Sequence, residues 1–583
     1  MTFELTSEQR AIVERIRTTK DNLILDALAG TAKTTTLLEA MKIIPQRSVL
    51  LLAFNKRIAD ELVSRMPKMP RTHAVHVKTF HAQGLAILKR HYPKLEVSAD
   101  ATEAIINRAA GAAISFKMRR ASVRLLRTTK ETAAIRDGAV APPDSDELLA
   151  LGYEHNIFGP KMSDREIGLA VEVVRDAYTL SLDLANLECI DFCDMVWAPV
   201  ALRLDPPSRY QCVIVDELQD ISEPQFEMLR MLMIPTGRFI ASGDRKQQIY
   251  DWRGSMGERA WSIAREELNA QELPLTMTFR CATSIVEAAH ELVPELRAMP
   301  DALPGSVSRC SRGDLPRMIA QGPSEGIHTF VLSRRNDDLL DCALFLWRER
   351  VGFQLIAGKD MLAPLFDLLD YKLDLRSRAQ FVQTLDAWRA LEIAKAEKAN
   401  ATAWAERIEE QSSMLTRALA YAEPTRIKDL LAKILAPNQS GVLLSTVHKV
   451  KGLEAERVFL LEQSFARHRP NIFDTVIEAA ELDHLAIFVS QAYPQEELNI
   501  EYVAITRAKE HLIWVDLAEK ETQPLEFEAQ LKSLSLKQLG EIEAKLDREM
   551  LRMSDDVDVS EALLVKLAEI RVEIGMRRSR DER

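Results

Sequence analysis

The chain is poor in cysteine, with six in 583 residues (Cys189, Cys193, Cys212, Cys281, Cys310 and Cys342) and no CxxC pair. A disulfide-stapled scaffold and a zinc ribbon are thereby excluded, and a reducing, cytoplasmic compartment is expected. No window approaches about 18 uninterrupted apolar residues, and the N-terminus opens on polar and acidic residues such as Glu4 and Glu8. Neither a membrane span nor a leader is expected. A basic excess is missing too: 76 Lys and Arg stand against 87 Asp and Glu, a net charge of −11. This argues against a protein that coats nucleic acid through bulk charge and leaves room only for a local basic track. With 21 Gly and 24 Pro, the chain is neither collagenous nor of low complexity.

What is present is ordinary globular material, 47% hydrophobic and 28% charged, in a length that suits roughly three or four domains of about 150 residues. NLILDA at 22–27, SVLLLAF at 48–54, CVIVDE at 212–217 and RFIASGD at 238–244 are short apolar runs, most of them followed by helical patterns. Such runs alternating with helices predict parallel strands buried on both faces, hence an α/β core. A second set follows at 329–335, 353–358, 441–448, 457–462 and 511–517. Between and within the sets, 91–200 and 362–436 lose the strand signal and read as helical inserts. The expected organisation is one α/β unit at 1–90 with 201–270, a second at 271–361 with 437–520, a helical insert in each, and a helical tail over 521–583.

Two motifs carry chemistry. ALAGTAKTT at 27–35 lies between a strand and a helix, the context of a phosphate-cradling loop. Ala27 and Ala32 stand where that pattern has glycine, while Gly30, Lys33 and Thr34 are in place. Small residues let backbone N–H groups approach phosphate oxygens. Lys33 would neutralise the β- and γ-phosphates and the Thr34 hydroxyl would ligate Mg2+. The second motif, VIVDELQD at 213–220, puts two carboxylates at the carboxyl end of a buried strand. Asp216 suits the metal, and Glu217 suits orienting or deprotonating a water.

Other features are weaker. KMRRASVRLLRTTK at 117–130 is a candidate basic track, with a solvated helix face as its alternative reading. Asp370, Tyr371 and Lys372 form a nuclease-like triplet without an upstream acidic partner, and read as a helical ion pair. Cys189 and Cys193 read as buried thiols.

Together with TSEQRAIV (6–13), VKTFHAQG (77–84), SGDRKQQIYDWRGS (242–255), LTMTFRC (275–281), STVHKVKGLE (445–454) and EYVAITRAKEHL (501–512), these motifs resemble those of UvrD-like superfamily 1A helicases, in the family's order across nearly the whole chain. The short second insert looks like that of compact phage, bacterial or F-box-helicase-type members. The resemblance implies two RecA-like domains binding ATP and Mg2+. It implies a nucleotide site of Gln9 on the adenine edge, Phe279 stacked on its face, the loop Ala29, Gly30, Thr31, Ala32, Lys33, Thr34 and Thr35 on the phosphates, and Glu454 near the sugar. Gln247 would sense the γ-phosphate, and Arg280 and Arg507 would act as arginine fingers.

For the strand-binding face the likeness nominates Phe54, His81, Tyr250, Trp252 and His448, with Asn55, Lys56 and Thr446 near the backbone. Aromatic platforms suit a motor because every base has a π-face. The implied activity is ATP-dependent 3′-to-5′ translocation on single-stranded DNA and unwinding of tailed duplex DNA, by a monomer or a DNA-dependent dimer. Two alternatives stay open at this stage. Ala27 and Ala32 motivate a nucleotide-gated DNA-binding protein with weak ATPase, and the short second insert motivates a protein-displacing translocase that unwinds poorly. Whether the pathway is repair, replication or recombination, and what the C-terminal tail binds, is not written in these residues.

Overall fold

The computed structural model describes residues 4–111, 114–133, 135–136, 139–140, 142–155, 157–158, 162–249, 254–321, 329–356, 358–398, 401–435, 441–465 and 495–517. Two six-stranded parallel sheets organise it. The first contains β1 (Leu23–Ala27), β2 (Ser48–Ala53), β3 (Ala74–Thr79), β4 (Tyr210–Val215), β5 (Met233–Gly243) and β6 (Gln271–Leu275), in the order β6-β1-β5-β4-β2-β3. The second contains β7 (Ser306–Ser311), β8 (Thr329–Ser333), β9 (Gln354–Leu355), β10 (Val442–Thr446), β11 (Ala455–Leu461) and β12 (Ala508–Asp516), in the order β7-β12-β11-β8-β10-β9. Every pairing within both sheets is parallel. The α/β class and the two-unit plan expected from the apolar runs are therefore observed, and the central strands β1, β2, β4 and β8 are buried almost throughout.

Helices cover both faces of each sheet because an all-parallel sheet must be crossed by connections that bury it. Ile12, Leu37 and Leu51 pack on one face of the first sheet, and Phe80, Met228 and Trp261 on the other. The helix Ser7–Thr18 starts at a capping box in which Thr6 and Gln9 satisfy each other's backbone N–H groups.

The first insert holds the helices Ala101–Ala110, Phe116–Glu131, Ser145–Glu154, Asp164–Ser181 and Phe192–Ala201, with a core built around Leu125, Leu126, Val174 and Trp197. The second holds Gly358–Tyr371, Arg378–Lys398, Thr402–Leu419 and Ile427–Ile434, and shares one core with the second sheet. A network of charges ties it there as well. Arg417 bonds Asp338 at 2.8 Å and lies 3.5 Å from Asp341, and Glu410 accepts from the Asn336 amide at 2.9 Å. The two inserts also meet each other, with Tyr153 stacked on Trp404 at 4.6 Å and 16°, and the Arg407 guanidinium bonded to the Glu154 carbonyl.

Three expectations change. β6 pairs with β1 and completes the first sheet, so the boundary expected at residue 270 lies beyond Leu275. The strand read at 353–358 shrinks to Gln354–Leu355, because Gly358 already opens a helix. The edge strands β3 and β7 gave no apolar run, since edge positions face water and carry polar residues. The helical tail read over 521–583 lies outside the described residues. Among the described residues no helix is long and apolar enough to cross a membrane, and all six cysteines are free thiols, Cys189 half-buried and Cys193 buried. Asp370 pairs with Lys428 at 2.7 Å, an ion pair made between two helices and not within one.

Candidate nucleotide site and strand groove

β1 ends at Ala27, and the next five residues turn into the helix Lys33–Met41. The turn needs two left-handed residues, Gly30 at φ 71° and Ala32 at φ 58°. A Cβ on Gly30 would sit 2.5 Å from Thr278 Oγ1 and 2.6 Å from Arg280 Cβ, so only glycine lets the segment 278–280 press against the loop. That segment is anchored by the Phe279 N–H, which donates to the Gly30 carbonyl at 2.8 Å. Phe279 is 36% exposed. Leu28 N–H donates to the Leu275 carbonyl at 3.0 Å, and Thr31 is buried with its hydroxyl on the Leu28 carbonyl at 2.8 Å.

Around the loop the expected groups converge. Lys33 Nζ lies 2.5 Å from Glu217 Oε2, and Thr34 Oγ1 donates to Asp216 Oδ2 at 3.2 Å. The other Asp216 oxygen accepts from the Ser242 hydroxyl at 2.5 Å and the Glu217 N–H at 3.1 Å. Glu217 itself is left-handed, φ 59°, and its Oε2 accepts from Gln219 at 2.7 Å. Thr35 accepts from Arg65 at 2.7 Å. Gln9 is fully buried; its amide nitrogen donates to Thr36 at 3.0 Å and its oxygen caps the Thr6 N–H, so it braces the loop's helix, and an adenine edge must compete for its amide.

The electrostatics follow from burial and from these pairs. Burial opposes the Lys33 cation, but Glu217 and Asp216 outweigh it and raise its pKa. Burial also opposes the Glu217 anion, yet Lys33 and Lys451 pull its pKa down to about 2. Asp216, buried beside Glu217, is shifted up. Asp244 is pushed up to about 7 by burial, against the pull of Lys33.

The fit to a hard divalent cation is direct. A hydroxyl and a carboxylate 3.2 Å apart, the latter oriented by Ser242, are the sparse protein donors Mg2+ takes when phosphates supply the rest. No cluster of three or more His, Cys, Asp or Glu that could hold a metal occurs among the described residues.

The second unit closes the other side. Arg507, 1% exposed, bonds the carbonyls of Val503 and Leu453 at 3.0 Å each and reaches Gln247 Oε1 at 3.5 Å. Burial and the neighbouring Arg280 lower its pKa to about 9, which leaves it a cation at neutral pH. Gln247 donates to Asp244 at 2.6 Å. Arg280 is paired with Glu454 at 2.6 Å, and Glu454 also binds Lys509 at 2.9 Å. Lys451, unassigned from sequence, spans the cleft to Asp220 at 2.6 Å and to the Gln247 carbonyl at 2.8 Å.

A cavity of about 520 Å3 lies between the first unit and its insert, lined by Phe54, His81, Arg124, Thr128, His155 and Asp220 among others. Phe54 follows β2, and Asn55 caps the helix Lys56–Arg65 through the Ile58 N–H at 2.9 Å, leaving Lys56 exposed at its first turn. Burial lowers the His81 pKa, and the ring stands edge-on to Phe192, ring centroids 6.1 Å apart. Phe192 is 61% exposed at the start of its helix, and sequence reasoning missed it although the capping pair Asp191 and Asp194 marks that helix start. Thr446 ends β10 and His448 lies on the turn after it, three residues before Lys451, whose partner Asp220 lines the cavity. Tyr250 and Trp252 lie outside the described residues.

The candidate basic track at 117–130 is largely paired, although Arg124 lines the cavity. Lys117 pairs with Glu166, Arg119 with Glu103, Arg127 with Asp191 and the fully buried Lys130 with Asp194 at 2.6 Å. Four of its six cations are thus spent on carboxylates of the insert itself.

Two domain families match the chain. The UvrD/REP helicase N-terminal domain family matches residues 5–263, and the UvrD-like helicase C-terminal domain family matches residues 377–518. Among similar proteins are the F-box DNA helicase 1 of Gallus gallus, 24% identical over 88% of this chain and 49% of the relative, and the ATP-dependent DNA helicase PcrA of Leuconostoc citreum, 24% identical over 48% of this chain and 38% of the relative. The ATP-dependent DNA helicase Rep of Buchnera aphidicola is 23% identical over 42% of this chain and 38% of the relative. The chain spans half or less of the length of these curated relatives. With its ordered motifs, its two parallel-sheet units and both domain families matched, the chain belongs to the UvrD-like superfamily 1 helicases.

Proposed function

We propose that the protein is an ATP- and Mg2+-dependent motor that translocates 3′ to 5′ on single-stranded DNA and unwinds tailed duplexes. The observation that carries this reading is the convergence on one cleft of Lys33, Thr34, Asp216 and Glu217 from the first unit with Arg280 and Arg507 from the second. ATP would bind with its phosphates on the loop, and Thr34 and Asp216 would hold Mg2+, which would supply charge neutralisation to the phosphates. Glu217 orients the attacking water and takes its proton. Arg280 and Arg507 meet the charge that develops in the transition state, a contribution of roughly a thousandfold or more, and Gln247 links the phosphate end to Arg507. Because the fingers come from the other unit, hydrolysis and cleft closure are coupled. The neighbouring cavity, lined by Phe54 and His81 and with Phe192 edge-on to His81, suits stacking of bases without sequence readout.

The deciding experiment is the ATPase rate with and without single-stranded DNA, run beside unwinding of duplexes carrying either a 3′ or a 5′ tail. DNA-stimulated hydrolysis with unwinding of the 3′-tailed substrate is expected. Hydrolysis indifferent to DNA, or unwinding from the 5′ tail, would refute the reading.

A further inference from the structure

The helix Gln495–Ile505 belongs to the second unit, yet its side chains hold two segments of the first. Asn499 donates to the Gln248 carbonyl at 3.0 Å. Close by on the same helix, the Tyr502 hydroxyl accepts the Ala29 N–H at 2.9 Å. Tyr502 is 1% exposed and Ala29 0%, and Ala29 packs in the core that also contains Cys281, Ile285 and Val447 of the second unit. The middle of the phosphate loop is therefore embedded in the opposite unit.

A buried N–H without a partner is costly, and the loop has few bonds of its own to fix its shape. Its backbone N–H and carbonyl groups are instead held from outside, by Leu275, by Phe279 and by the Tyr502 hydroxyl. Tyr502 also accepts the Thr506 N–H through its backbone carbonyl at 3.0 Å, and Arg507 follows directly.

We propose that Tyr502 is a positioning residue for the nucleotide site, its hydroxyl holding the phosphate loop in its cradling shape from the second unit. The inference rests on the reading of residues 27–35 as a phosphate loop. Phosphate binding and docking of the helix Gln495–Ile505 then favour each other by reciprocal linkage, so any ligand that shifts this helix changes ATP affinity. Asn499 supports the same docking one turn away.

The test is Tyr502→Phe in the full chain, which keeps the ring and deletes the acceptor. The KM for ATP should rise about 5- to 30-fold while kcat changes much less, since the loop must be ordered at the expense of binding. In the nucleotide-free wild-type chain the Ala29 amide should exchange hydrogen as slowly as the amides of β1, and Tyr502→Phe should speed it. Normal wild-type ATP binding with an unaltered KM in Tyr502→Phe would overturn this inference alone, whereas a wild-type chain that binds no ATP would overturn the proposed function with it. Should Tyr502→Phe fail to fold, rapid exchange of Ala29 in the wild type would still refute the bond.

Discussion

Lys33 and Glu217 neutralise each other across 2.5 Å, so the residue that would grip the phosphates and the residue that would activate water are partners before either meets a substrate. While paired, Glu217 has a pKa near 2 and is a poor base. Moving Lys33 onto phosphate oxygens removes the strongest influence holding it down, and its proton affinity rises when a water needs a base. On the proposed function, ATP binding would therefore free the base that consumes it.

This arrangement predicts distinct outcomes for the two residues. Lys33→Ala should lower ATP turnover at least about a hundredfold and weaken ATP binding, with strand binding retained. Glu217→Gln should keep ATP affinity and abolish turnover, seen as a persistent ATP complex in a single-turnover assay. Normal turnover in Glu217→Gln would remove it from the mechanism.

Ala32 carries a left-handed backbone, φ 58° and ψ 36°, at the start of the loop's helix. That conformation costs an alanine about 1 kcal/mol relative to glycine. Ala32→Gly should therefore tighten ATP binding by about two- to fivefold in a fluorescent-nucleotide titration. Weaker binding would mean that alanine is needed for loop rigidity.

Lys451 and Asp220 are nearly buried, with side-chain exposures of 10% and 8%, and join the two units. Burial raises the Asp220 pKa in spite of Lys451, so removing the cation strands an anion in a poor environment. Lys451→Ala should cost about 3–5 kcal/mol, and Asp220→Asn should recover part of that loss in a double-mutant cycle. Additive effects in denaturant unfolding would show that the pair does not couple.

Asp244 is buried beside Lys33, Asp26, Lys246 and Gln247, and its pKa rises from the usual carboxylate range to about 7. The folded state then binds the proton more tightly than the unfolded one. Its contribution to stability is complete below about pH 4 and declines as pH rises towards 7. In the nucleotide-free protein, Asp244→Asn should flatten the pH dependence of unfolding between about pH 4 and 7, and an unchanged profile would place the titration elsewhere.

Phe192 stands exposed beside His81 at the groove. Phe192→Ala should weaken single-stranded DNA binding about five- to 150-fold at fixed salt, the range of one lost stacking contact. Fluorescence anisotropy with a labelled oligonucleotide measures it, and wild-type affinity would mark Phe192 as an idle surface residue.

Legibility in the sequence tracked how local each determinant is. The central strands announce themselves as apolar runs such as LILDA and CVIVD, and the loop, its left-handed Ala32 and the carboxylate pair are all set within a few residues. The edge strand Gln271–Leu275 contains Pro274 and faces water, so it carries no such run. The pairing of the basic helix was not legible because charge is visible in sequence but its partner is not: Lys117 finds Glu166 49 residues on, and Lys130 finds Asp194 64 residues on. Tyr502 lay inside a motif, yet its acceptor role towards Ala29 spans 473 residues and needed the fold to be seen.

The stack of Tyr153 on Trp404 has a mechanical consequence. Trp404 sits on the helix that Arg417 and Glu410 fasten to the second unit, so the stack joins the halves well away from the contacts that Lys451, Tyr502, Asn499 and Arg507 make at the ATP cleft. Any motion that parts the halves as wholes must break this aromatic contact as well, so the inserts resist opening of the cleft from outside it.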